Sequence, residues 1–285
     1  MKSVELPTEK LLDGKNVADA LLLDLAKKVK KLGCSPVLSI VLCGDDAASK
    51  MYVTMKQKRA KEIGVIAEVY EFPADVLESD LLAKIQWLNG HADGIIVQLP
   101  LPKHLDVQKV LDSISPDKDV DGLTSFNLGK IARGNELCAP ATPKGIIRLL
   151  EHYRVAFSGA RIVIVNHSPL IGKPLSWMLL NRGATVIVCN EFTRNLSEHT
   201  LSADIVVSAV GRAGLIDGSM LSEGVVVVDA GITKVDGKVR GDVEVDSVLE
   251  KARFITPVPG GVGPMTIAML LETLVELKIQ QMRER

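Results

Sequence analysis

Short runs of β-branched and apolar residues alternate with amphipathic segments along almost the whole 285-residue chain. Several of these runs are apolar throughout, such as IVIV and VVVV, which is typical of parallel strands covered by helices on both faces. Parallel strands require crossover connections, so the alternation predicts an α/β fold with right-handed crossovers. The predicted strands are Val37–Cys43, Ile66–Phe72, Gly94–Gln98, Arg161–Val165, Thr185–Cys189, Ile205–Ala209 and Val225–Asp229.

Helical periodicity fills the segments between these runs. The predicted helices are Asn16–Leu32, Ala47–Ile63, Leu77–Leu88, Val107–Ile114, Pro143–Tyr153, Gly172–Asn181 and Met265–Gln281. The stretch from Gly90 to Pro143 breaks the alternation, because it is rich in proline and in loop sequences such as SPDKDVDG. A chain of this length is expected to form two domains, and we place their junction in this stretch. The predicted domains are residues 1–140 and 141–263, with the last helix, 264–285, packing back on the first domain.

Charge and cysteine usage exclude several classes of protein. Lys and Arg number 34 and Asp and Glu 35, a balance that predicts neither nucleic-acid nor membrane-surface binding. No apolar run approaches the roughly 18 residues of a membrane span, and the opening MKSVELPTEK lacks the apolar core of a signal peptide. The four cysteines form no CxxC pair and the histidines are scattered, so no metal site is predicted. These features together indicate a cytoplasmic protein.

The second predicted domain contains part of a dinucleotide-binding fingerprint. The strand RIVIV leads into Asn166-His167-Ser168-Pro169-Leu170-Ile171-Gly172, where G-x-G-x-x-G would be expected, and only Gly172 is present. Glu191, at the end of the next strand, has the usual place of an acid that accepts a hydrogen bond from a ribose hydroxyl, and a solvated loop charge is the alternative. The alternative is an ordinary doubly wound domain that binds no nucleotide.

In the first predicted domain, Tyr52 and Lys56 are four residues apart and share one face of a helix, and Gln98 ends a buried strand. Spacing alone favours solvated lysines on this helix, and Gln98 fits a buried, satisfied glutamine as well as it fits a ligand contact. The segment DKDVDG (117–122) is not an EF-hand, because the position for its bidentate carboxylate is Leu128. The loop Gly260-Gly261-Val262-Gly263-Pro264 lacks GK[ST] and is no P-loop.

Seven segments, in one order and spacing, resemble the methylenetetrahydrofolate dehydrogenase/methenyltetrahydrofolate cyclohydrolase (FolD) family. They are SKMYVTMKQKRAKEIG, GIIVQLPLP, DKDVDG, ATPKG, IGKPLSWMLL, DAGI and TPVPGGVGPMT. The resemblance implies two α/β domains with a cleft between them, an N-terminal catalytic folate-binding domain and a Rossmann-type, doubly wound parallel-sheet domain for a nicotinamide cofactor, usually in a homodimer. It further implies oxidation of 5,10-methylenetetrahydrofolate to the methenyl compound and hydrolysis of that compound to 10-formyltetrahydrofolate.

The resemblance also implies roles for individual residues. Lys56 would be the catalytic lysine, held by Gln98, while Tyr52 would pack on the folate ring and Asp121 would accept from its amino-pyrimidine edge. Asp119 would shape the loop. The remaining implied folate contacts are Leu99, Pro259, Gly260 and Gly261, and the implied cofactor contacts are Asn166, His167, Ser168, Gly172, Glu191 and Ile232. A lysine can move protons in such a site where burial favours its neutral form.

Two departures from the family pattern concern the cofactor. The family's Gly-Arg-Ser is Asn166-His167-Ser168 here, and its Cys-His-Ser is Cys189-Asn190-Glu191. Arginine and serine suit the 2′-phosphate of NADP, whereas a carboxylate favours the 2′-hydroxyl of NAD. We expect NADP from the family pattern, with NAD as the alternative and with weaker discrimination than is usual in the family.

Two other functions remain open from the sequence. One is a different two-domain dehydrogenase, similar to shikimate dehydrogenase, which would have little use for Tyr52 and Lys56 combined with DKDVDG. The other is a non-catalytic nucleotide-binding protein, against which the joint presence of Lys56, Gln98 and Asp121 argues.

Overall fold

A computed structural model describes residues 7–284, which group into two units by their contacts. The first unit comprises Asp19–Ala141 and residues 267–284, and the second comprises residues 7–18 and Thr142–Thr266. Residues 7–18 therefore group with the second unit, although the sequence-based boundary assigns them to the first domain. The backbone explains this, because Leu12 N–H donates to Ile255 O at 2.9 Å and Lys15 N–H donates to Gly260 O at 2.8 Å. Otherwise the proposed domain limits stay a prediction.

The helices within the described residues are α1 (Gly14–Leu32), α2 (Ala47–Glu62), α3 (Glu78–His91), α4 (Val107–Asp112), α5 (Ser125–Ala132), α6 (Ala141–His152), α7 (Gly172–Leu180), α8 (Leu196–Thr200), α9 (Val245–Lys251) and α10 (Val262–Arg283). The strands are β1 (Val37–Cys43), β2 (Ile66–Phe72), β3 (Gly94–Val97), β4 (Arg161–Val165), β5 (Thr185–Cys189), β6 (Ile205–Ser208), β7 (Val226–Asp229), β8 (Thr233–Val235), β9 (Lys238–Arg240) and β10 (Phe254–Ile255). None of these helices is long and apolar enough to cross a membrane.

The first unit contains a parallel sheet in the order β2-β1-β3. Every residue of β3 is buried, and all but the first residue of β1 are buried, whereas β2 at the edge alternates between exposed and half-buried residues. Central strands covered on both faces read as continuous apolar runs, which is why β1 and β3 were identifiable from the sequence.

The second unit contains a five-stranded parallel sheet in the order β10-β7-β6-β4-β5. Numbered from β4 as strand one, this is the doubly wound order 2-1-3-4-5 read from the other edge. β6 and β7 are fully buried, while the edge strand β5 has exposed residues at Thr185 and Val188. The predicted α/β class with a doubly wound, Rossmann-type parallel sheet is therefore confirmed.

All seven predicted strands and seven predicted helices are present, with ends that differ by at most three residues. The sequence reading missed α5, α8, α9, β10 and the hairpin β8–β9. That hairpin turns at Asp236-Gly237, both with positive φ (51° and 73°). An Asp-Gly turn is a strong hairpin signal, and it was available in the sequence.

Candidate functional site

The carboxyl ends of β1 and β3 form the first candidate location. The chain leaves β1 for β2 on one side and returns to β3 on the other, so a crevice opens where the direction reverses. α2 follows β1 and begins at an N-cap, Asp46, whose side chain accepts from Ser49 N–H at 2.7 Å. α2 carries Lys56, and Gln98 directly follows β3. The fold thus delivers both predicted residues to one edge of the sheet.

Lys56 is a buried lysine with a defined partner. Only 8% of its surface is exposed, and its Nζ donates to Gln98 Oε1 at 3.0 Å. Gln98 is itself oriented, because its Nε2 donates to Leu99 O at 2.8 Å and its backbone N–H donates to Val41 O at 2.9 Å. An ammonium has three N–H donors, and this is the one hydrogen bond that Lys56 Nζ makes within residues 7–284. Two donors therefore remain for a ligand.

Asp121 reaches the same edge because its loop lies beside β3. Ile95 N–H donates to Lys118 O at 2.7 Å, and Val120 N–H donates to Ile95 O at 3.4 Å. Burial raises the pKa of the Asp121 carboxyl, the nearby Lys56 ammonium opposes that rise, and the Asp119 carboxylate adds to it. No hydrogen bond among the described residues ends on the Asp121 side chain, so both oxygens can accept from a ligand.

Asp119, two residues earlier, has a structural role. It is 1% exposed, and its oxygens accept from the backbone N–H groups of Gly122, Leu123 and Thr124 at 2.9, 3.2 and 2.9 Å. Asn127 Nδ2 donates to it as well, at 2.9 Å. Because these donors occupy the Asp119 carboxylate, it shapes the loop that presents Asp121, which agrees with the expectation for this residue.

Tyr52 lies one turn before Lys56 on α2 and is half-buried, and its hydroxyl has no hydrogen-bond partner among the described residues. Leu99 is also half-buried and packs against the hydrophobic core of the first unit. Tyr52 therefore offers a ring face and a free hydroxyl on the helix that carries Lys56. The assignment of both residues to folate stays a prediction.

In the second unit, the loop between β4 and α7 lies at the corresponding reversal of strand order. Asn166 follows β4, and its Nδ2 donates to Ala209 O, just after the neighbouring β6, at 2.6 Å. Gly172 opens α7 so close to this loop that a Cβ on it would lie 1.9 Å from Asn166 O. The one glycine of the fingerprint is therefore required by close approach.

The side chain of Asn166 accepts hydrogen bonds from N–H groups that a glycine-rich fingerprint loop would leave free to bind a diphosphate. Its Oδ1 accepts from Ser168 N–H at 2.8 Å, from Ser168 Oγ at 2.7 Å and from Gly172 N–H at 3.0 Å. Lys173 N–H in turn donates to Ser168 O at 3.1 Å. The backbone N–H groups of Ser168, Gly172 and Lys173 are therefore occupied by acceptors within the loop.

His167 and Glu191 lie at the ends of β4 and β5, and the structure brings them together. The distance from His167 Nδ1 to Glu191 Oε2 is 3.6 Å, and both side chains are largely exposed. Toward the other edge of the sheet, Val210 and Ile232 follow β6 and β7 as half-exposed aliphatic side chains. This edge therefore runs from polar side chains at β4 and β5 to apolar side chains after β6 and β7.

A pair of buried aspartates supports this edge, and the sequence analysis missed it. Asp229 accepts from the N–H groups of Gly231, Asp242 and Val243, each at 3.0 Å. Asp242 accepts from Ser208 Oγ, Val210 N–H and Arg212 N–H, each at 2.7 Å. Asp229 belongs to the segment DAGI, which marked the family, but no pattern in the sequence pairs it with Asp242.

Pro259, Gly260 and Gly261 form the turn before α10. Pro259 is exposed, Gly260 has a φ of 112°, and Gly261 N–H donates to Pro257 O at 2.8 Å. Their predicted contact with folate stays a prediction.

Family models match both parts of the chain. The model for the tetrahydrofolate dehydrogenase/cyclohydrolase catalytic domain matches residues 12–121, and the model for its NAD(P)-binding domain matches residues 140–282. The bifunctional protein FolD of Lactobacillus helveticus is 44% identical over 277 residues, covering 95% of this chain and 98% of that protein.

Solved structures agree with these matches. The bifunctional enzyme FolD of Campylobacter jejuni superposes with a TM-score of 0.93 at 42% identity, over 95% of this chain and 99% of that one. The Trypanosoma brucei enzyme, solved with NADP and an inhibitor, has a TM-score of 0.92 at 34% identity, over 99% and 100%. Shikimate 5-dehydrogenase of Thermus thermophilus reaches only 0.51 at 13% identity, over 85% and 99%, so it shares the fold alone.

The comparisons thus give no support to the shikimate-dehydrogenase-like or the non-catalytic alternative. The predicted family, its enzyme class and its nicotinamide dinucleotide are confirmed. The chain belongs to the tetrahydrofolate dehydrogenase/cyclohydrolase family.

Proposed function

We propose that the chain oxidises 5,10-methylenetetrahydrofolate with a nicotinamide dinucleotide and hydrolyses the methenyl product to 10-formyltetrahydrofolate. One observation carries this proposal. Buried Lys56 has unused hydrogen-bond donors close to Asp121, whose side-chain oxygens are unused acceptors. A pterin presents paired amino donors, which a carboxylate accepts well. Asp121 therefore binds the folate, and Tyr52 and Leu99 provide its apolar contacts.

Lys56 moves protons in the hydrolytic step. Water adds to the cationic methenyl carbon and gives up one proton, and a second proton then passes from the new hydroxyl to N5 as the carbon–N5 bond breaks. The products are 10-formyltetrahydrofolate and one released proton. Lys56 Nζ carries the proton between oxygen and nitrogen, and Gln98 Oε1 holds Nζ in place at 3.0 Å. Gln98 in this role orients the catalytic group and does not itself exchange a proton.

The second unit positions the dinucleotide for the oxidation. When bound, this cofactor accepts the hydride from the methylene carbon. Glu191 and His167 would bind the adenosine ribose, Asn166 and Ser168 shape the loop beside it, and Gly172 lets that loop approach α7. Ile232 would contact the nicotinamide ring. The main contribution of the protein to the oxidation is therefore to hold the folate and the dinucleotide in the orientation that the reaction needs.

For the cofactor itself we propose NADP, on the family pattern, with unusually weak discrimination against NAD. The observation that supports weak discrimination is the 3.6 Å separation of His167 Nδ1 and Glu191 Oε2, because a carboxylate beside His167 would also lie beside a 2′-phosphate bound there. The carboxylate repels that phosphate and accepts from a 2′-hydroxyl.

Replacing Glu191 tests this assignment. Glu191→Ser is expected to raise the ratio of kcat/KM for NADP over NAD by about tenfold, which corresponds to roughly 1.4 kcal/mol. Glu198→Gln removes a similar exposed charge from α8 and is the matched control. An unchanged ratio in Glu191→Ser would exclude the carboxylate from the ribose site, and a strong NAD preference of the unmodified chain at every pH would overturn the NADP proposal.

An absorbance assay of the methenyl compound tests the two activities. Supplied with 5,10-methylenetetrahydrofolate, the chain is expected to form the methenyl compound only when nucleotide is present. Supplied with the methenyl compound alone, it is expected to speed its disappearance above the enzyme-free rate. Absence of both effects would refute the proposed function.

We also propose that the chain acts as a homodimer in the cytoplasm, on the family pattern alone. Sedimentation at micromolar concentration should give a mass of two chains, and a single-chain mass would contradict the dimer.

A further inference from the structure

Asp229 and Asp242 are two buried carboxylates that no cation neutralises. They are 3% and 0% exposed, and neither takes part in an ion pair within the described residues. Burial raises the pKa of Asp229 to about 6, against the effect of its three backbone donors. Burying a charge costs several kcal/mol, so an apolar pair would serve stability better. The presence of two buried carboxylates is better explained by the backbone geometry that they impose on the turns around them.

That geometry is specific to the two turns at the carboxyl ends of β6 and β7. Asp242 binds the N–H groups of Val210 and Arg212, which flank Gly211, a residue with a φ of 80°. Asp229 binds the N–H group of Gly231, directly before Ile232. A Cβ on Gly211 would lie 3.2 Å from Ile232 O, so the two turns also lie against each other.

The two carboxylates also interlock. Asp242 N–H donates to Asp229 Oδ1 at 3.0 Å. A Cβ on Gly231 would lie 2.1 Å from Asp242 Oδ1, and one on Gly241 would lie 1.9 Å from Asp229 Oδ2. The turns and the carboxylates therefore form one unit, in which the conformation of either turn depends on both aspartates.

We propose that Asp229 and Asp242 are positioning residues for the nicotinamide end of the dinucleotide, acting through the turns that present Val210 and Ile232. The side chains of Val210 and Ile232 are about half-exposed at the sheet edge, although both are apolar. A rigid pair of turns holds this apolar surface ready for a flat ring, which reduces the ordering cost of binding. This inference rests on the proposed use of a dinucleotide.

Asp242→Asn tests the proposal, because the amide keeps the size but turns an N–H group toward a backbone donor. NADP affinity, measured by titration calorimetry, is expected to weaken by about tenfold or more, as for a lost charge-assisted hydrogen bond. Hydrolysis of supplied methenyltetrahydrofolate needs no hydride acceptor and is expected to stay within about twofold. Glu244→Gln is the matched control, because Glu244 only caps α9, and both values should be unchanged.

Three outcomes overturn the proposal: NADP affinity within twofold in Asp242→Asn, an equal loss of binding and hydrolysis, or a similar binding loss in Glu244→Gln. If Asp242→Asn does not fold, Gly211→Ala decides, since it distorts the same turn without leaving a buried donor unpaired. Unchanged NADP affinity in Gly211→Ala then overturns the proposal. The binding readout keeps this test separate from the proposed function, which fails instead if the unmodified chain binds NADP but catalyses neither reaction.

Discussion

Replacing Lys56 by methionine separates proton transfer from folding and binding. Methionine keeps the unbranched apolar stem of the side chain but removes the Nζ that donates to Gln98 Oε1 at 3.0 Å. General acid–base catalysis contributes roughly 10²- to 10⁴-fold to a rate. We therefore expect hydrolysis of the methenyl compound to fall by at least about 100-fold, with folate and dinucleotide affinities largely intact.

The change in stability is expected to be small, because two effects oppose each other. The variant loses one hydrogen bond from a charged donor, with a net contribution of about 1.5–3 kcal/mol, and leaves Gln98 Oε1 without that donor. It also removes a charge that is 8% exposed, which relieves desolvation. A net change of about 1 kcal/mol would move Tm by roughly 2–4 °C.

The assay supplies the methenyl compound without nucleotide and follows its absorbance. Tm and folate affinity are measured on the same preparations. Lys58→Met is the matched control, since Lys58 is an exposed lysine two residues along the same helix. It is expected to leave hydrolysis within about twofold, because an exposed lysine contributes little beyond screened charge.

Hydrolysis within a few-fold of the unmodified rate in Lys56→Met would refute the catalytic role. An equal loss in Lys58→Met would show that the positive charge of α2, and not the position of Nζ, is what matters.

Three further substitutions probe other parts of the site. Asp121→Ala is expected to weaken folate binding by roughly 1.5–3 kcal/mol, since a charged acceptor is lost, and an unchanged affinity by titration would remove Asp121 from the site. Gly172→Ala forces a Cβ to within 1.9 Å of Asn166 O, so the free energy of unfolding in urea should fall by about 1–3 kcal/mol; an unaltered urea midpoint would show that the loop yields. Burial raises the pKa of Asp229 from 3.8 to about 6, so the folded state favours its protonated form, and the stability that this form contributes is lost as the pH rises through 6. The unmodified chain, relative to Asp229→Asn, should therefore lose about 1 kcal/mol of stability between about pH 5 and pH 7, and a pH-independent difference would contradict the raised pKa.

Local pattern was enough to predict the regular elements, for a physical reason. Central parallel strands must be apolar on both faces, and the helices that cover them must carry an apolar stripe. The hydrophobic pattern within each element therefore predicts which of its faces are buried. The missed elements α5, α8, α9 and β10 are only two to eight residues long, which is too short to show a clear period. The Asp236-Gly237 hairpin is different, since its turn signal was present and was overlooked.

The sequence by itself determined the α/β class, the order of strands and helices, and the segments that mark the family. The resemblance paired Lys56 with Gln98, and the tertiary structure supplied the contact itself, at 3.0 Å. Only the tertiary structure decided that His167 meets Glu191 and that Asp229 meets Asp242. His167 and Glu191 meet because the neighbouring parallel strands β4 and β5 bring their carboxyl ends to one edge regardless of the length of chain between them. Lys56 lies on helix α2 and Asp242 follows the antiparallel hairpin β8–β9, so their contacts depend on how these elements pack against the sheet. Which residue beyond each strand then finds a partner depends on loop geometry, and that geometry is set by hydrogen bonds that no single segment encodes.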